Sequence, residues 1–144
     1  MRVVIQRTKN SSVSVNNMIT GESSFGLTLL VCLEKGDTED EIKKASQKIL
    51  AARIFQDGEG KMNQNIQQVE GTILAISQFT LSWRGDKGNR PSFDRSMPPK
   101  EAQSLFDQFC QELAHSVPVE KGEFRAEMEV SLINQGPVTF VFDF

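Results

Sequence analysis

The sequence predicts an α+β fold, strand-rich, with mostly antiparallel sheets forming a partly closed barrel or sandwich and two helices packed on it. Three observations carry this. Apolar residues recur at helical spacing in only two segments, behind Thr38 and behind Pro99. β-Branched or continuous apolar runs fill the opening third and residues 72–81. From Phe124 the apolar residues alternate with polar ones, the period of a half-buried strand. At 144 residues the chain fits one domain, 1–144, with a core large enough to need no disulfide or metal staple.

Met1 to Gln6 and Val13 to Val15 are rich in β-branched residues, and Asn16-Asn17 tolerates positive φ, so the opening reads as a strand and hairpin. Gly26 to Leu33 is a continuous apolar run, expected to be a strand buried on both faces. Thr38 and Glu41 have the spacing of a capping box. Ile42, Ala45, Ile49 and Ala52 follow at helical spacing, predicting a helix to about Phe55. Gly58-Glu-Gly60 is a turn. Thr72 to Leu81 is expected to be a central strand, and residues 82–97 a long loop. Pro98 and Pro99 suit a first helical turn, followed by the stripe Ala102, Leu105, Phe106, Phe109, Cys110 and Leu113. Phe124, Ala126, Met128, Val130 and Leu132 then share one strand face. Asn134 to Pro137 is expected to turn the chain before a last strand, VTFVFDF.

Composition narrows the chemistry. No apolar run approaches the ~20 residues that span a bilayer, and MRVVIQRTKN lacks an apolar stretch of signal-peptide length, so a cytoplasmic protein is expected. Cys32 and Cys110 each lie in apolar segments and read as buried thiols. The net charge of −3 argues against nucleic-acid binding by bulk electrostatics. Cations nonetheless cluster. Residues 1–9 hold three and no acid, and residues 84–100 hold five against two acids. The ordinary reading of the second cluster is a solvated loop; the functional one is a local phosphate patch of Arg84, Lys87 and Arg90. His115, the one histidine, falls at the end of the second helix, where a solvated or capping role is expected. A histidine-based triad, a zinc site and a nucleotide phosphate cradle all lack their residues. No metal or cofactor is expected.

Two polar segments stand out. Ser77, Gln78 and Thr80 interrupt a buried strand, which requires internal hydrogen bonding or a polar cavity. Gly136-Pro137 precedes the last strand, either as an ordinary strand-entry turn or as a special backbone feature. Ser77-Gln-Phe-Thr-Leu81 together with Asn134-Gln-Gly-Pro-Val-Thr139 resembles the D-aminoacyl-tRNA deacylase family, the type with a glycine–cis-proline motif. The resemblance continues through Val4-Ile-Gln-Arg7, Arg53-Ile-Phe55, Gly60-Lys-Met-Asn63, Gly88-Asn-Arg-Pro-Ser-Phe93 and Met128-x-Val-Ser-Leu132, spanning the chain in order. Gln135 departs from it, since an aspartate is usual there. Phe79 favours the deacylase over its animal paralogue.

The resemblance implies hydrolysis of the ester joining a D-amino acid, or glycine, to the terminal adenosine of tRNA. It implies a homodimer in which Gly136 and Pro137 of one subunit reach the neighbour's pocket, held by Arg7. Met128 and Phe124 join these as substrate-binding residues, and Ser77, Gln78, Phe79 and Thr80 form the catalytic segment. The expected partners are the aminoacylated acceptor end of tRNA and a second copy of the chain, with neither a membrane nor DNA among them. Rigid backbone suits chiral rejection, because one methyl in a hydrophobic pocket discriminates by only ~1–3 kcal/mol. With no base to activate Thr80, oxyanion contacts from the Phe79 and Thr80 N–H groups and water activated by the ribose hydroxyl are preferred over a covalent route. The rival readings are a non-catalytic RNA-binding module and a small-molecule esterase.

Overall fold

In the computed structural model, which describes residues 1–85 and 88–144, strands dominate and two helices lie against them. The long first strand β1 (Arg2–Val15) turns at Asn16 and Asn17, both at positive φ (49° and 64°), into β2 (Met18–Ser23). β3 (Gly26–Cys32) returns antiparallel to the first half of β1 and is buried on both faces. Helix α1 (Glu39–Ala51) starts at Thr38, and the expected capping box is present. The helix is shorter than expected. Ala52 is extended at the C-cap, and Phe55 opens β4 (Phe55–Gln56), which pairs with β5 (Met62–Gln64) in a small second sheet.

β6 (Thr72–Ser77) runs parallel to β3, and β7 (Val119–Lys121) runs parallel to β6. Between them lies α2 (Pro99–Ala114), which buries Phe106, Phe109, Cys110 and Leu113 as the stripe requires. β8 (Glu129–Asp143) closes the fold along the other side of β1. β2 swings back towards β7, so closely that a Cβ on Gly21 would stand 2.9 Å from the Lys121 carbonyl oxygen; this approach nearly closes the six-stranded sheet into a barrel. The main core lies between sheet and helices, with Val3, Ile5, Leu29 and Val31 against Ile42, Ile49, Phe106 and Phe109.

Besides the length of α1, three expectations need correction. The strand from Thr72 ends at Ser77, and Phe79–Ser82 forms a single 3-10 turn instead of continuing to Leu81. Residues 124–128 alternate in burial without belonging to a strand; ladder pairing begins only at Glu129. Residues 134–137 do not reverse the chain. β8 runs through them as one strand with a wide bulge in which residues 135–138 stand opposite Arg7 alone, before pairing resumes at Thr139 and Gln6.

Candidate active site

Where β6 ends, the chain leaves the sheet and one wall of a cavity of about 660 Å³ begins. Ser77, Gln78 and Phe79 form that wall. Phe93 and residues 96–99 come from the long loop, Ala102 from α2, and Phe124, Ala126, Met128 and Val130 from the segment entering β8. This explains the period-two pattern seen before Glu129. Alternate side chains there face the cavity and its apolar wall, giving strand-like periodicity without a ladder. Phe79 is 52% exposed at the rim, its ring edge-on to Phe93 with centroids 4.9 Å apart.

The polar groups at this wall are mostly main-chain. The Gln78 N–H donates to the Val31 carbonyl (2.7 Å), the last bond of β6 to β3 before the chain leaves the sheet. The Leu81 N–H donates to the Gln78 carbonyl (3.2 Å), closing the 3-10 turn. Among the described residues, the N–H groups of Phe79 and Thr80 have no protein acceptor, as expected for the first donors of such a turn. Thr80 itself is exposed beside the cavity, its Oγ1 accepting from Gln78 Nε2 at 2.6 Å. Beneath the turn, Cys32 Sγ donates to the Phe79 carbonyl (3.5 Å). Burial pushes that thiol's pKa up to about 12, and Glu34 adds to the effect, so Cys32 is a neutral donor and no nucleophile. Among the described residues, no aspartate, glutamate or histidine lines the cavity, and its ionisable lining groups are Lys35 and Arg125.

Gly136, Pro137 and Arg7 form a second cluster that does not line this cavity. The Gly136–Pro137 peptide is cis, and Gly136 has φ 138°. Arg7, only 5% exposed, donates from Nε to the Gln135 carbonyl (3.0 Å) and from Nη1 to the Ile54 carbonyl (2.7 Å). Asn134, named from the sequence only as part of the motif and turn, spans the same bulge. Its Oδ1 accepts from the Val138 N–H (2.7 Å) and its Nδ2 donates to Thr139 Oγ1 (2.9 Å), replacing ladder bonds that the bulge removes. An asparagine two residues before a Gly-Pro pair was the available signal, since its side chain readily bonds nearby backbone.

The basic loop is divided. Arg84 is bidentate to Glu34 (2.8 and 3.0 Å) and reaches Asp143 (3.1 Å), which Arg2 also holds at 2.7 and 2.9 Å. This network ties the residues after the 3-10 turn to both chain ends. Burial raises the Glu34 pKa, with Asp37 and Asp143 acting in the same direction. Arg90 is exposed, and Lys87 lies outside the described residues. His115 caps α2 at its C-terminal end, donating its main-chain N–H to the Gln111 carbonyl. A larger open cleft of about 1140 Å³, with Ser12, Thr20 and Ser131 among its lining, includes none of the cavity's residues.

A sequence model of the D-Tyr-tRNA(Tyr) deacylase family matches residues 4–143, nearly the whole chain. The chain belongs to this family. The solved structure of a c-Myc DNA unwinding element binding protein has 32% sequence identity and a TM-score of 0.95, covering 100% of this chain and 99% of that one. A probable eukaryotic D-amino acid tRNA deacylase has the same fold at 19% identity, with a TM-score of 0.84 over 99% of this chain and 98% of that one. Deacylase membership makes the protein a hydrolase of D-aminoacyl-tRNA esters.

Proposed function

We propose that the deacylase removes D-amino acids, and glycine, from tRNA by holding the ester in the cavity beside residues 77–80. The observation that carries this is a pair of main-chain donors without protein acceptors among the described residues, at Phe79 in the wall and at Thr80 beside it, next to a cavity whose described lining holds no acid or histidine. Such a site can stabilise an oxyanion but cannot abstract a proton with a side chain. An aminoacyl ester is already labile, so orientation and oxyanion contacts suffice, and the vicinal ribose hydroxyl of the substrate activates the water. The water oxygen bonds to the acyl carbon and the bond from that carbon to the ribose oxygen breaks. The ribose oxygen takes the proton, and free D-amino acid and tRNA leave. Gln78 holds Thr80 and shapes the pocket.

Chiral selection is assigned to the Gly136-Pro137 backbone of a partner subunit. In one chain this cluster lies away from the cavity it would complete, which accords with a homodimer of two shared sites. Among the described residues β8 pairs with β1 alone, and it leaves Val130, Ile133 (53%), Phe140 and Val141 (55%) exposed along its length, apolar surface that a second copy of the chain would cover. Met128 and Phe124 supply apolar contact to the substrate. Of the loop cations, exposed Arg90 is free to meet phosphate, and Arg84 would act with its carboxylate partners.

The test is turnover of a D-aminoacyl-tRNA against the same substrate ending in a 2′-deoxyribose. Thr80→Ala retains most activity, and the deoxy substrate binds but hydrolyses at least tenfold more slowly. Binding of charged tRNA with no turnover would make the chain an RNA-binding module. An inert, folded Thr80→Ala beside a readily cleaved deoxy substrate would move the mechanism to a threonine ester.

A further inference from the structure

The mouth of the cavity carries two cations from distant parts of the chain, Lys35 after β3 and Arg125 in the turn before β8. Both are exposed, and among the described residues neither has an ion-pair partner. In this they differ from Arg84, whose guanidinium is committed to two carboxylates. Among the described residues the cavity lining itself holds no acid to pair with them.

Each cation is presented by a fixed backbone. The Lys35 N–H donates to the Arg95 carbonyl at 2.8 Å. Glu34 bridges Ser96, and the Met97 N–H donates to the Leu33 carbonyl at 3.0 Å. The turn bearing Lys35 is therefore bonded to the loop that walls the cavity. Arg125 sits at φ 66°, in the left-handed region that favours glycine. A bulky cation kept where glycine is the easier residue points to a use for the side chain.

We infer that Lys35 and Arg125 form a clamp for the phosphodiesters of the single-stranded 3′ end of the substrate RNA, on either side of the entering terminal nucleotide. This rests on the deacylase reading and extends it. The ester enters the cavity, and the nearest formal negative charges on such a substrate are the backbone phosphates just upstream. Cations at the mouth meet those phosphates whatever the bases, so the clamp adds affinity without reading sequence.

The experiment compares a D-aminoacyl-adenosine, which has no phosphate, with the same ester on a short single-stranded trinucleotide, for the full-length protein and for Lys35→Ala/Arg125→Gly. Glycine suits φ 66°, so this variant removes charge without straining the turn, and its thermal midpoint verifies folding. Wild type has a lower KM for the trinucleotide ester. The double variant loses about tenfold of that preference, and the slope of log affinity against log salt falls by about 0.7 per lost contact. Arg125→Lys restores part of both. An unchanged preference and slope in the double variant would overturn the clamp. Anisotropy with an amide-linked, non-hydrolysable trinucleotide separates the two readings: affinity lost in the double variant without wild-type turnover on any ester keeps the clamp and rejects the deacylase.

Discussion

Replacing Arg7 by methionine removes a buried side chain that holds the Gln135–Val138 bulge from β1. Arg7 is 95% buried by the measure of its 5% exposure, and its two donors satisfy the Gln135 and Ile54 carbonyls at 3.0 and 2.7 Å. A charge-assisted hydrogen bond contributes ~1.5–3 kcal/mol, and removing the buried guanidinium recovers part of its desolvation cost, so the net loss is about 2–4 kcal/mol. For a chain of this length that lowers Tm by roughly 5–15 °C. Lysine reaches at most one carbonyl with comparable geometry, so Arg7→Lys falls between wild type and methionine. Activity falls further than stability requires, at least tenfold in kcat/KM under conditions where the variant is folded, because Gly136 loses the anchor immediately before it. Urea unfolding followed by circular dichroism gives the first quantity and deacylation of D-aminoacyl-tRNA the second. A methionine variant with unchanged Tm and unchanged kcat/KM would refute both the energetic estimate and the role of Arg7 in holding the motif.

Two further perturbations follow from the same geometry. Gly136→Ala places a Cβ 2.6 Å from Val138 Cγ2 and 3.1 Å from Arg7 Nη2 at φ 138°, so it costs about 1–3 kcal/mol in thermal unfolding and lowers chiral discrimination. Thr38→Ala removes the N-cap of α1 at a cost of ~1 kcal/mol. It also alters the acid response. Hydrogen bonds from the Thr38 side chain and backbone hold the Glu41 carboxyl below its ordinary 4.5. That contribution is therefore complete above the unfolded value and lost as pH falls through the folded one. Urea midpoints near neutrality and in acid differ less in Thr38→Ala than in wild type.

Local signals in the sequence were the readable ones. The capping box at Thr38 and Glu41, the α2 stripe and the Asn16-Asn17 hairpin rest on neighbours within a few residues, and each element appears where its residues require. Non-local balances were not readable. The polar residues after Ser77 suggested a strand facing something polar. In the structure the strand stops there, because after the last ladder bond, from the Gln78 N–H to Val31, the next residues form a 3-10 turn. Likewise Asn134 to Pro137 has the composition of a chain reversal, yet long pairing with β1 on both sides absorbs it as a bulge. β7 is too short to leave a periodic trace. Lys35 and Arg125 carry no motif at all, since only the fold brings them to one cavity.

The central claim is that a cavity without a side-chain base hydrolyses the tRNA ester and selects its substrate by the geometry at the α-carbon. Parallel deacylation of the D-, L- and glycyl-forms of charged tRNA by the purified protein tests it most directly. The account predicts rapid loss of the D-aminoacyl and glycyl esters with the L-aminoacyl ester left largely intact. Equal hydrolysis of the D- and L-esters, or sparing of both D-aminoacyl and glycyl esters, would contradict it.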